Sequence, residues 1–168
     1  MHQPTVRINS LTIGYENKNE FSKIAHQITA SIYAGELTCL IGPNGVGKST
    51  LLRTISKLQP MHSGLIELLG EDINEIRKEK FATLLSVVLT ERPSVYNISV
   101  KEMVGMGRSP YTNYWGSLSK EDSEIVNEVI TMVGIEPLTH RVFSTLSDGE
   151  KQKVMIAKAL AQQTPVIL

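Results

Sequence analysis

At 168 residues the chain is long enough for one ordinary domain with its core and too short for two of typical size. Its 17 basic and 17 acidic residues cancel, which argues against a nucleic-acid-coating surface or an acidic tail, so any affinity for phosphate must be local. The single cysteine, Cys39, lies in the apolar run of residues 37–41. An intrachain disulfide is therefore excluded, a reducing compartment fits, and the residue reads as a small buried core side chain. The opening MHQPTVRINS lacks the apolar stretch of a secretory signal, and no run approaches the ~20 apolar residues of a membrane span. The expectation is a cytoplasmic chain.

In chain order, residues 5–13 alternate like an edge strand, residues 24–33 like a second, and the short apolar run 36–41 suits a buried strand. Gly42 to Gly47 punctuate the chain, and a helix over 49–55 follows with Leu51, Leu52 and Ile55 on one face. A strand over 65–69, a helical stretch over 75–81 and a buried strand over 84–90 come next. The character then becomes helical. SVKE at 99–102 fits a capping box and opens a helix through Met106, Ser119 caps a longer helix ended by Gly134, a further helix runs over 150–161, and TPVIL begins another strand. The pattern is an α/β fold with a helical insertion before the sheet resumes.

Gly42, Pro43, Asn44, Gly45, Val46, Gly47, Lys48 and Ser49 match G-x-x-x-x-G-K-[ST] at every fixed position, between an expected strand and a helix. Glycines let the backbone fold so that several amides converge on phosphate oxygens, and the helix N-terminus adds positive partial charge. Lys48 supplies a full charge for the β- and γ-phosphates, Ser49 a hydroxyl for Mg²⁺, and Thr50 a donor for the α-phosphate. A nucleoside triphosphate is the implied ligand. The reaction stays open, because many unrelated activities use the same cradle.

LSDGEKQKVMIAKALA, residues 146–161, resembles the signature motif of ABC-type ATPases, with Leu146, Ser147, Gly149 and Gln152 matching and Asp148 and Glu150 departing from it. On its own the stretch is an N-capped helix start, with Ser147 as cap and acidic residues in the first turn. Together with the cradle it implies a P-loop NTPase of the ABC ATPase type, with a β subdomain and a helical insertion. The resemblance implies that the signature of one copy closes over the γ-phosphate held by another, so that a head-to-tail dimer sandwiches ATP and Mg²⁺. The carboxylate of Asp148 sits close to where that phosphate would lie.

Other positions carry over from the same family. Tyr15 matches the aromatic that stacks on adenine, the alternative being a core or edge-strand tyrosine. Thr90 aligns with the family's Gln near Mg²⁺, unless Glu91 takes that place. Residues 98–126, with GRSPYTNYWG, resemble the ATP-binding subunits of bacterial importers for iron-siderophores, ferric citrate, haem and cobalamin. That likeness implies membrane permease partners, a periplasmic or surface binding protein acting indirectly, no nucleic acid, and a place on the inner face of the cell membrane. Tyr111, Tyr114 and Trp115 read either as a permease contact or as a satellite cluster folded against the helices. A soluble ABC ATPase without a membrane partner and a fragment that only binds nucleotide are the competing readings.

The family's strand after the signature helix ends in an Asp and a Glu that serve Mg²⁺ and the attacking water, followed later by a switch His. Residues 165–168 match that strand's start. The sequence therefore reads as the N-terminal piece of a longer ATPase, with a nucleotide-binding part over 1–92, a helical part with the signature over 93–163 and the strand start over 164–168. No catalytic residue falls within it.

Overall fold

The structure, a computed structural model, describes residues 3–17, 20–88 and 97–168. It forms two compact units, Met1–Leu84 with Leu168, and Leu85–Ile167.

The first unit is built on an antiparallel sheet of β1 (Val6–Asn17), β2 (Glu20–Ile32), β3 (Ser63–Leu68) and β4 (Glu71–Asp72), in the order β2-β1-β3-β4. β1 is thus an interior strand, contrary to the edge position expected from its alternation. Its buried residues change phase along the strand: Val6 and Ile8, then Leu11 and Ile13. A bulge makes the change, with a register shift between Ile8 and Leu11 and Ser10 at φ 47°. One extra residue flips every later side chain to the other face, so both pairs reach the same core. Gly64 faces this bulge at φ 100°, where a Cβ would lie 2.6 Å from the Leu11 Cα. Ile66 and Leu68 of β3, Ile55, Ile73, Ile76 and Phe81 complete the buried apolar set.

Helix α1 (Lys48–Ile55) follows the glycine-rich loop, and α2 (Lys78–Leu84) starts later than expected because residues 72–76 are taken up by a turn in which Asp72 accepts from the Asn74 amide. The expected buried strand over 36–41 is not formed. Leu37 and Ile41 are 93% and 88% exposed, and Cys39 is exposed rather than buried. An apolar run supplies strand propensity, but a strand exists only where a neighbour takes its backbone bonds, and none of β1 to β4 pairs with this run.

Among its described residues the second unit holds a short parallel pair, β5 (Leu85–Ser86) with β6 (Val166–Ile167), and three α-helices, α3 (Val100–Gly105), α4 (Lys120–Val133) and α5 (Asp148–Ala161). The strand expected over 84–90 is limited to β5 within the described residues; 89 and 90 lie outside them. α3 stops at Gly105, one residue before the expected end at Met106, and the chain runs on to Tyr111 as a tighter 3-10 segment. Val100, Met103, Val104, Val126, Ile130, Phe143, Leu146 and Val154 are buried in one core where the three helices meet.

The starts of α3, α4 and α5 are each fixed by a reciprocal pair. Ser99 with Glu102, Ser119 with Asp122 and Ser147 with Glu150 all form complete capping boxes, each satisfying backbone donors that a helix leaves unpaired. Gly134 ends α4 in the left-handed conformation at φ 69°, which a side chain with a Cβ adopts only at a cost.

Candidate nucleotide-binding site

In the first unit the loop of residues 42–47 is exposed or half-buried and turns twice through the left-handed region, at Gly45 (φ 81°) and Gly47 (φ 103°). Gly47 is the N-cap of α1, and a Cβ there would also lie 2.6 Å from Ile24 Cγ2. α1 has no side-chain cap and no acidic residue in its first turn. Its leading amides and their positive end are therefore left to an anion from outside the helix. Lys48 folds back over the loop, its Nζ donating to the Gly42 carbonyl at 2.8 Å and the Pro43 carbonyl at 2.9 Å. The ammonium has three donors, so a bound phosphate gains one by addition or by exchange with these carbonyls.

Ser49 is exposed beside Lys48, whereas Thr50 is buried. The Thr50 hydroxyl lies 3.0 Å from the Tyr15 hydroxyl, so the fold brings β1's aromatic to the first turn of α1. The Tyr15 ring is 45% exposed, so it is not a core side chain; at this position β1 pairs with β2 alone, its pairing with β3 ending at Thr12, which is the edge-strand setting of the alternative reading. Asn44 and Val46 are exposed. Thr90 and Glu91 lie outside the described residues.

The residues fit an Mg²⁺-nucleotide to this extent: Ser49 presents a hydroxyl beside a cationic loop. Among the described residues no group of three or more His, Cys, Asp or Glu is placed to hold a metal ion. An Mg²⁺ here would rely on phosphate oxygens, water and Ser49, the arrangement this hard cation prefers.

In the second unit Leu146 is buried, anchoring the signature stretch, while Ser147, Asp148 and Gly149 are exposed at the start of α5. The Ser147 hydroxyl donates to Glu150 Oε2 at 2.7 Å, the Ser147 amide donates to the same oxygen at 2.7 Å, and the Glu150 amide donates back to the hydroxyl at 3.4 Å. Those bonds from Ser147, side chain first and then backbone, hold the Glu150 carboxyl below its ordinary range, with Arg141 and Lys153 adding smaller attractions. Arg141 Nη1 reaches Glu150 Oε1 at 3.4 Å. At Gly149 an added Cβ would meet no heavy atom within 4 Å. Nothing in the packing demands glycine there.

Around Ser147 the sequence reading gives the cap but neither of the two contacts made to Glu150, and only one of them carried a signal. The reciprocal bond from Glu150 to Ser147 was legible as S-x-x-E; Arg141 had no such signal, since the loop that returns it to α5 has no periodicity.

The protein-family model described as ABC transporter matches residues 25–168. The chain belongs to the ABC transporter family. An uncharacterized ABC transporter ATP-binding protein of Methanocaldococcus jannaschii is 39% identical over 97% of this chain and 55% of its own length. The ferric enterobactin transport ATP-binding protein FepC of Escherichia coli is 36% identical over 97% of this chain and 59% of its own. This chain thus spans little more than half the length of these relatives. A dimeric ATP-binding cassette in a post-hydrolysis state, bound to ADP and Pi, superposes with a TM-score of 0.80 at 25% identity, covering 96% of this chain and 72% of that one. The fold is that of the ABC-type P-loop NTPases, as the cradle and signature of this ABC chain imply.

Proposed function

We propose that the protein carrying this chain is the ATP-binding and ATP-hydrolysing subunit of an importer for an iron-chelate-type substrate. The observation that carries the proposal is the loop of Gly45, Gly47 and Lys48: two left-handed glycines and a folded-back ammonium ahead of an uncapped helix. Convergent amides, helix end and ammonium together suit a triphosphate. Tyr15 offers a half-exposed ring for the base, Thr50 a hydroxyl near the α-phosphate, and Ser49 a ligand for Mg²⁺. Mg²⁺, when bound, would neutralise charge between the outer phosphates.

The signature corner of a second copy completes the site. Ser147, Asp148 and Gly149 are exposed, and the open space at Gly149 allows a phosphate to approach the backbone. Because the Ser147 hydroxyl donates its hydrogen bond to Glu150, gripping a phosphate requires that this bond be shared or exchanged. The names of relatives such as FepC, a ferric enterobactin transport protein, support iron-chelate import as the activity. Permease subunits at the inner membrane face are the partners, and exposed Tyr114 and Trp115 suit contact with them. No described helix is long and apolar enough to cross a membrane.

Replacing Lys48 by Ala tests the reading. In the full-length protein, Lys48→Ala lowers Mg-ATP retention in equilibrium dialysis and cuts phosphate release by about 100-fold or more. Unchanged retention and release would sink the proposal.

A further inference from the structure

The segment Met106–Tyr111 lies against the last turn of α5 with no room to spare. A Cβ at Gly107 would collide with the Lys158 carbonyl oxygen. The next residue, Arg108, is 5% exposed and spends its guanidinium on three groups: Nε donates to Asp122 Oδ1 at 2.8 Å, and Nη1 to the Ala161 carbonyl at 2.9 Å and to Gln163 Oε1 at 3.0 Å. The guanidinium also lies over the Tyr111 ring at 4.0 Å, and the Tyr111 hydroxyl donates to the Gln162 carbonyl at 3.0 Å.

Helix C-termini leave carbonyls without intrahelical donors. Here two successive carbonyls at the end of α5 are taken by side chains from one short segment. That segment then runs, within a few residues, into Tyr114 and Trp115, which are 95% and 84% exposed and meet edge to face at 5.5 Å. Asp122 ties the same guanidinium to the start of α4, its other oxygen accepting from the Ser119 amide at 3.0 Å and hydroxyl at 2.7 Å. A buried ion pair of this kind adds little net stability over an apolar replacement. What it adds is a fixed geometry, for which only a planar fork serves: a lysine ammonium cannot reach these acceptors in their separate directions.

We propose that Arg108 is a positioning residue that fastens the C-terminal end of the signature helix to the loop bearing Tyr114 and Trp115, so that helix and loop move as one piece. The two ends of α5 are about 20 Å apart, with Ser147 at one and the Ala161 carbonyl that accepts from Arg108 at the other. A displacement imposed at the phosphate-facing end is delivered to the exposed aromatics, and a load on the aromatics is returned to Ser147. The inference rests on the proposed role of Ser147 in gripping nucleotide, and it concerns how that grip is transmitted.

The test uses the full-length protein with every tryptophan other than Trp115 replaced by Phe. Addition of Mg-ATP is expected to change Trp115 emission in the parent. Arg108→Lys is expected to melt cooperatively and hold Mg-ATP within about twofold of the parent, to lose at least about half of the emission change, and to show kcat lowered about tenfold at an unchanged KM. Tyr111→Phe, which deletes one exposed hydrogen bond, is expected to lower the emission change and kcat by about threefold or less. Arg108→Lys with the parent's emission change and kcat overturns the inference alone. If Arg108→Lys fails to melt cooperatively, Tyr111→Phe decides, and a parental emission change in it overturns the inference. A parent that retains no Mg-ATP overturns both this inference and the proposed function.

Discussion

A glycine inside a helix costs about 0.5–1 kcal/mol relative to alanine, through the backbone freedom it loses on folding. Gly149, the second residue of α5, bears that cost although a Cβ would meet no atom within 4 Å. By contrast Gly47 and Gly64 are required by their own neighbours and by left-handed φ. The cost at Gly149 is explained when something outside the chain must approach its backbone, as the proposed phosphate does. Gly149→Ala should therefore raise the melting temperature by roughly 1–4 °C while lowering ATP turnover in the full-length protein by about tenfold or more. A variant that is both more stable and equally active would remove the reason for glycine there. Sequence reading reached the cradle residues individually, because G-x-x-x-x-G-K-[ST] is a pattern of backbone necessity. It missed what depends on returning chain: the Tyr15 hydroxyl on Thr50, Arg141 beside Glu150, and the exposure of Cys39, whose apolar neighbours suggested a core.

The helices of the second unit were legible because their start signals are local. Ser99 and Glu102 are three residues apart, and so are Ser147 and Glu150; Ser119 was readable as a cap although its box is closed by Asp122, a shorter acid than the usual Glu or Gln. The β1 bulge at Ser10 and the unpaired run 36–41 were not legible, since both are decided by which strand lies alongside. The capping acids also make the element stability pH-dependent. Bonds from the Ser119 hydroxyl, then the Arg108 guanidinium and the Ser119 amide, hold the Asp122 carboxyl below its ordinary range, and Glu102 is lowered in the same sense by Ser99. A lowered folded pKa means that the unfolded chain binds more protons in the window below an unfolded Asp value of about 3.9. The stabilisation is present above that value and is lost as pH falls through the lowered folded pKa. Asp122→Asn should thus melt several degrees below the parent above about pH 5, and the gap should narrow towards pH 3. A gap that stays constant across this range in thermal unfolding of the full-length protein would show that the Asp122 charge contributes nothing.

At the scale of the whole molecule, cradle and signature lie in different compact units of the chain, and the proposal joins the cradle of one copy to the signature of another. This makes a statement about mixtures that no single variant can make. A Lys48→Ala subunit has a defective cradle and an intact signature; a Ser147→Ala subunit has the reverse. In a head-to-tail dimer of the two, one composite site carries both lesions and the other carries neither, because Lys48 of one copy faces Ser147 of its partner. Random mixing of equal amounts makes half of all dimers mixed, each with one intact site of two, so the mixture should regain about a quarter of the parental sites. Were cradle and signature to act within one copy, every site in the mixture would carry a lesion. Mixing the two full-length variants and measuring occluded nucleotide per subunit separates these arrangements. A signal well above either variant alone requires sites made between copies, and a signal equal to their mean rejects the head-to-tail dimer while leaving the cradle's own affinity for ATP untouched.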